Sequence, residues 1–265
     1  MLDSPPPVPV RGPAGAAPPD GAAAPPVTAL RDALLLTREE SGGRWPMLLW
    51  APGRGMRMIS SALLGGGTGE REWVLNAQVP PGYRRMDPAA HLAALARAAG
   101  ATGPGVGLMT AADVRARRWA ADEGVEALVT AGIGVRGWAA VPAPGEPGPQ
   151  RAGTINIVVS VPVPLSDAAL VNAVATATEA KVQALLETGA DASGTPTDAV
   201  CVAAVRPVDG RPPEPFAGPR SVWGARVARA VHRAVTDACR EESPRVRRPA
   251  GGPAAACASR ERHVR

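Results

Sequence analysis

The sequence predicts an α+β fold: a single domain of mixed sheet or sheets, packed by a long central helix and a C-terminal helix, between two disordered tails. Three observations carry this. β-branched apolar runs of strand length recur between Trp45 and Val205. One capped stretch, Asp167 to about Thr188, is long enough for a central helix, and a second, Ser221 to about Arg240, keeps an apolar side. Both ends of the chain are poor in large apolar residues.

Residues 1–27 are rich in Pro, Ala and Gly without apolar periodicity, so they bury too little surface to order themselves. Residues 241–265 are similarly poor in large apolar side chains and rich in arginine. The domain therefore spans about 28–240, ample for one sizeable core. Within it, Ala29–Leu36 is apolar but of undecided type, and Trp45–Trp50 and Met56–Ser60 read as strands around a turn at Pro52-Gly53. Glu72–Asn76 is the next strand. Asp87-Pro88 marks a helix start, a cap followed by proline, with the helix stopping at Gly100. Val106–Thr110 reads as a strand, Ala111–Ala121 as a helix with an arginine side, and Val125–Ala131 as a strand. Thr154–Val161 is a β-branched run closed by Pro162 and Pro164. Ser166 caps the central helix and Asp167 suits its positive end, while Gly189 stops it. Ala199–Val205 is the last strand.

On the central helix, Leu170, Val171, Val174, Thr178, Lys181, Val182 and Leu185 share one side; Asn172, Thr176, Glu179 and Gln183 share the other. Lys181 is the only lysine in the chain. On an inward-tending face it is either a packed stem with its ammonium reaching water or a desolvated lysine able to lose its proton and act as a base or nucleophile. The loop Ser193-Gly-Thr-Pro-Thr-Asp198 sets hydroxyls and a carboxylate before a strand. Such a loop serves chemistry or merely a turn. The glycines Gly65, Gly66 and Gly67 form either a connecting loop or an anion-binding backbone, but lack a P-loop's Gly-Lys-Ser/Thr ending. Asn76, at a strand end, fixes a turn or orients a carbonyl.

Several classes are set aside. The net charge of +5 resides largely in C-terminal arginines, without interleaved aromatics, so no specific nucleic-acid binding is expected. No apolar run of about 18 residues predicts a membrane span, and the N-terminus lacks a secretory pattern. Cys201, Cys239 and Cys257 are widely spaced, fitting a reducing compartment and a cytoplasmic location. His91, His232 and His263 have no ligand or catalytic partner at short spacing, so no metal site or Ser-His-Asp arrangement is expected.

Seven motifs occur in order: Ile59-Ser-Ser-Ala-Leu-Leu-Gly-Gly-Gly67, Trp73-Val-Leu-Asn-Ala-Gln-Val79, Val106-Gly-Leu-Met-Thr-Ala111, Val129-Thr-Ala-Gly132, Gly153-Thr-Ile-Asn-Ile-Val158, Ala177-Thr-Glu-Ala-Lys181 and Gly194-Thr-Pro-Thr-Asp-Ala199. Together, over roughly residues 45–205, they resemble the adenosylcobinamide amidohydrolase family of corrinoid salvage. Pro196 stands where the family's loop more often has glycine. The resemblance implies hydrolysis of the amide joining a corrinoid to its aminopropanol arm, with the corrinoid as substrate and no bound cofactor or metal. It implies Lys181 and Asp198 as an acid–base pair, Thr197 or Thr195 positioning water or acting as nucleophile, and Glu179 within the same motif as Lys181. Asn76, Asn156 and the Gly65–Gly67 backbone would hold the carbonyl or the corrinoid's peripheral amides. A non-catalytic corrinoid-binding protein and an amidase for another substrate are the competing readings.

Overall fold

Two mixed sheets, each built around a strand–helix–strand unit, make up the fold in the computed structural model, which describes residues 28–53, 56–140, 153–207 and 212–246. The first sheet contains β1 (Leu34–Glu40), β2 (Gly43–Trp50), β5 (Trp73–Gln78) and β6 (Gly105–Thr110) in that order. Its pairs are antiparallel except β5 and β6, which run parallel because α1 (Pro88–Ala98) connects them. The second sheet runs β4 (Gly67–Arg71), β3 (Met56–Ser60), β10 (Ala199–Val205), β9 (Thr154–Val161), β8 (Val125–Gly132) and β7 (Arg118–Asp122). Here β9 and β10 are the parallel pair, joined through α2 (Asp167–Glu187). The last helix, α3, spans Val222–Val246.

Strand alternation sorts the core into three layers. Ile155, Ile157, Val159 and Val161 of β9 point to the face covered by α2 and α3, together with Val200 and Val202 of β10. Val158, Cys201 and Ala203, on the opposite pleat, meet Leu48, Val74 and Leu108 of the first sheet between the two sheets. Leu75 and Ala77 face outward from the first sheet onto Leu92 and Ala96 of α1. The molecule is thus helix, sheet, sheet, helices. Strands β5, β6, β9 and β10 are buried on both faces, which is why they read as apolar runs with little polar alternation, whereas the edge strands β1 and β4 stay largely exposed.

Five segments depart from the sequence reading. Ala29–Leu36, of undecided type, splits into a 3-10 turn at Leu30–Asp32 and the start of β1. The helix expected over Ala111–Ala121 is a single 3-10 turn at Val114–Ala116, capped by the Asp113 carboxylate, followed by β7. Besides β4, an unanticipated strand that follows from the Gly65–Gly67 loop, two more, β1 and β7, sit in hairpins with two-residue turns of positive φ, Ser41-Gly42 and Glu123-Gly124. That geometry matches the strands' right-handed twist. The strands β2 and β3, expected around one turn, lie in different sheets. Finally, α3 continues past Arg240 to Val246, into the expected tail; the rest of that tail and residues 1–27 lie outside the described residues.

On α2 the Ser166 hydroxyl accepts from the Ala169 N–H and Gly189 adopts φ +81°, so both predicted ends hold. The buried arc differs from the expected one. Alanines 169, 173, 177, 180 and 184 line it with Leu170, Thr176, Lys181 and Leu185. Val171 and Thr178 are exposed. The helix packs on both the sheet and α3, so its covered arc is wider than a one-sided apolar stripe, and small residues allow the close approach. Thr176, placed on the polar side, is buried and donates its hydroxyl to the Ala217 carbonyl at 2.8 Å. Among the described residues no helix is long and apolar enough to cross a membrane.

Candidate active site

The C-terminal end of α2 and the N-terminal end of β10 are linked by the Ser193–Asp198 loop, which folds back over the helix. The loop is tied to Gly137 by two backbone hydrogen bonds, Gly137 N–H to the Gly194 carbonyl and Ser193 N–H to the Gly137 carbonyl, both 3.0 Å. This turn carries Asp198 to Lys181. Lys181 Nζ lies 2.5 Å from Asp198 Oδ2, with only 9% and 13% of the two side chains exposed. Asp198 Oδ2 also accepts from the Thr195 N–H at 3.1 Å. Its Oδ1 accepts from the Ile155 N–H at 2.9 Å and from the Thr195 hydroxyl. Four donors occupy the lone-pair sites of one carboxylate. Beside it, Thr197 donates its hydroxyl to the Gly153 carbonyl at 2.9 Å and accepts from Thr154 at 2.6 Å.

This wall borders a cavity of about 760 Å³, a size that holds a small-molecule ligand. Gly153, Thr154, Thr197 and Asp198 line one side at the starts of β9 and β10. Val79, Met109, Thr110 and Ala111 line the other at the ends of β5 and β6, with Ser61, Leu63 and Tyr83 contributed by loops. A second void, about 10 Å³, lies within the core between the sheets beside Asn76 and Thr130 and is water-sized.

The structure brings Lys181, Asp198, Thr195 and Thr197 together, and Thr197 and Asp198 reach the cavity surface. Asn76 and Asn156 also meet, but in the layer between the sheets. Asn156 Nδ2 donates to Asn76 Oδ1 at 2.9 Å and to the carbonyl of Met109 at 3.1 Å, and Asn76 Nδ2 donates to Thr130 Oγ1 at 2.9 Å. Both amides are buried, and through Met109 they brace the cavity wall rather than line it. Gly65, Gly66 and Gly67 are likewise outside the lining, and Gly67 begins β4. A Cβ on Gly65 would sit 2.0 Å from the Gly105 carbonyl oxygen, so this glycine permits a close backbone crossing, the connecting-loop role. Glu179 is exposed on α2 and joins neither the ion pair nor the cavity lining.

Two histidines read as isolated have partners. His232 Nε2 lies 2.7 Å from Glu187 Oε2, on the surface between α3 and α2. His91 is buried on α1, its Nε2 3.1 Å from Glu40 Oε1 on β1 and its Nδ1 2.9 Å from the Tyr83 hydroxyl. Burial holds the His91 imidazole below its usual range, against the Glu40 charge that raises it. Burial likewise pushes the Tyr83 phenol up. The partners lie 8 and 51 positions from His91, beyond the reach of local spacing. One signal was present: Tyr83 is the only tyrosine in the chain. Asp87, expected as the α1 cap, makes no side-chain cap bond; it pairs with Arg85 at 2.8 Å, which lowers its carboxyl below the usual range.

The four-layer α+β frame, with a cavity of about 760 Å³ bordered by ordered hydroxyls and the Asp198 carboxylate, defines a scaffold able to hold a small molecule. Residues 33–246 match the family described as adenosylcobinamide amidohydrolase. The chain is 34% identical over 174 residues to an adenosylcobinamide amidohydrolase of Methanosarcina mazei, covering 63% of this chain and 82% of that relative. The chain therefore belongs to the adenosylcobinamide amidohydrolase family and is an amidohydrolase. Among solved structures it is similar to the PH0078 protein of Pyrococcus horikoshii OT3, at 12% identity and a TM-score of 0.44, over 78% of this chain and 82% of that one. Among the described residues no three His, Cys, Asp or Glu side chains cluster so as to hold a metal ion.

Proposed function

We propose that this protein hydrolyses the amide between the corrinoid and the aminopropanol arm of adenosylcobinamide, releasing adenosylcobyric acid and 1-amino-2-propanol for coenzyme B12 salvage in the cytoplasm. The observation that carries the reading is the 760 Å³ cavity ending on Thr197 and Asp198, within the family's span. Its apolar stretches, Leu63, Val79 and Met109, suit the hydrocarbon faces of a large ring, and its hydroxyls suit amides on that ring's edge.

Amide hydrolysis needs an attacking oxygen, a stabilised oxyanion and a proton for the departing amine. Thr197 has given its proton to a backbone carbonyl, a weak base, so in this reading it orients the substrate or a water and is not the nucleophile. The Lys181–Asp198 pair has a corresponding task. With its lone pairs occupied, Asp198 fixes the Thr195–Thr197 segment, and Lys181 neutralises it from behind. Asn76 and Asn156 hold the two sheets at the spacing the cavity needs.

The test is to incubate purified protein, with and without EDTA, with adenosylcobinamide and follow adenosylcobyric acid by mass spectrometry. Product in step with protein concentration supports the reading. Corrinoid bound without product overturns it and leaves a binding protein.

A further inference from the structure

We propose that Glu40, His91 and Tyr83 form a proton relay into the cavity, with Tyr83 as the group that exchanges a proton with the reacting atoms. The inference rests on the amide-hydrolysis reading above and assigns its missing acid–base function. Three features support it. The three side chains are in series: carboxylate to Nε2 at 3.1 Å, Nδ1 to phenol at 2.9 Å. The middle group is removed from bulk water, His91 being 4% exposed, while Glu40 behind it is 23% exposed. The outer one, Tyr83, lines the cavity that Thr197 and Asp198 line from the opposite wall.

The protonation pattern follows from the partners. Glu40 can only accept, so His91 carries its proton on Nε2 and presents a bare Nδ1. Tyr83 must then donate to Nδ1, leaving the phenolic oxygen free to accept from a water in the cavity. The surrounding charges favour this state. Arg38 on β1 pairs with Glu40 Oε2 at 2.9 Å, and Arg85, with Asp87, faces the Tyr83–His91 contact from the loop before α1. Arg38 and Arg85 oppose a second proton, and so a positive charge, on the ring, and Glu40 supports the transient imidazolium. The order is that of an acid–base triad in which the terminal hydroxyl passes a proton on.

The step balances without a co-reactant. A water lone pair forms the C–O bond as the carbonyl π pair moves onto its oxygen. The water proton passes to Tyr83 Oη while the Tyr83 proton passes to His91 Nδ1. Collapse of the tetrahedral carbon breaks the C–N bond, and the proton returns from His91 through Tyr83 to the departing nitrogen. One water is consumed, and an acid and an amine are released. Glu40 and His91 are positioning residues; they act through Tyr83.

Tyr83→Phe keeps the ring and removes the relay, so it is the decisive variant, with His91→Gln beside it. With adenosylcobinamide as substrate, Tyr83→Phe is expected to lower kcat about 10²- to 10⁴-fold with KM little changed. The acid limb of the wild-type pH–rate profile, set by protonation of His91, is expected to disappear in the residual activity. A Tyr83→Phe enzyme as active as wild type overturns the relay alone. So does a fall in kcat that leaves the acid limb in place, which marks Tyr83 as a wall residue. A wild type that releases no product overturns the hydrolysis reading and the relay together.

Discussion

Lys181 Nζ and Asp198 Oδ2 lie 2.5 Å apart across the turn that joins α2 to β10, sealed from solvent on nearly all sides. Buried charges tolerate one another only as a pair. Removing one leaves the other uncompensated, at a cost of about 3–5 kcal/mol. Lys181→Met, which keeps the stem's volume, is expected toward the lower end of that range, because Asp198 retains three other donors. Urea unfolding measures it. A double variant Lys181→Met/Asp198→Asn is expected to be less destabilised than the sum of the two single changes; strict additivity would show that the two groups do not couple.

Gly194 lies directly over this pair. A Cβ there would sit 2.4 Å from Asp198 Oδ2 and 2.7 Å from Lys181 Nζ. Both atoms are ends of side chains, but both are tethered, so neither moves without breaking a hydrogen bond. Gly194→Ala is expected to cost about 1–3 kcal/mol, as overpacking does. It should also lower turnover, because Asp198 and Thr197 share the displaced segment. A thermal melt and an activity assay on the same preparation check both; an unperturbed melt would show that the loop yields freely.

The sequence made much of this site legible. Ser166 and Gly189 bounded α2, which fixed the placement of Lys181, and the Thr195–Asp198 motif lay one loop away. Asn156 was expected to hold substrate, but it lies on the pleat opposite Ile155 and Ile157, between the sheets. Its meeting with Asn76 depends on two separate sheets stacking, which no local pattern encodes. The same holds for Tyr83, His91 and Glu40, which come from a loop, a helix and an edge strand. Strands β1 and β7 were missed because their hairpin turns use Ser41-Gly42 and Glu123-Gly124, not the Asn-Gly or Asp-Gly that announces such turns.

The amide pair between the sheets gives a third prediction. Asn76→Ala deprives Thr130 of a donor and Asn156 of an acceptor in the buried layer between the sheets. Each orphaned buried group costs about 1–3 kcal/mol. Asn76→Leu and Asn156→Leu together are expected to be milder than the summed single changes, since both halves of the polar contact leave at once. Unfolding curves of the three variants decide it. A double variant as costly as the sum would mean the amides act separately.

His91 is expected to contribute a pH dependence to the stability in the mildly acidic range. The folded protein holds the imidazole neutral because burial lowers its pKa, whereas the unfolded chain titrates near 6.5. Between the lowered value and about 6.5 the unfolded state binds more protons, so stability rises with pH through that window. Acidification from pH 7 to 5 therefore removes stability as His91 must charge beside Arg38 and Arg85, with Glu40 offsetting part of the loss. His91→Gln has no proton to take up. Its unfolding free energy is expected to change less between pH 7 and pH 5 than that of the wild type, even if it is lower at both. Urea titrations at the two pH values give the difference of differences directly. An identical change in both proteins would place the acid sensitivity in other groups, such as Asp87, Asp122 and Glu187. Their carboxyls are held low by Arg85, by Arg229 and by Gln183 with His232, and they lose that stabilisation at lower pH.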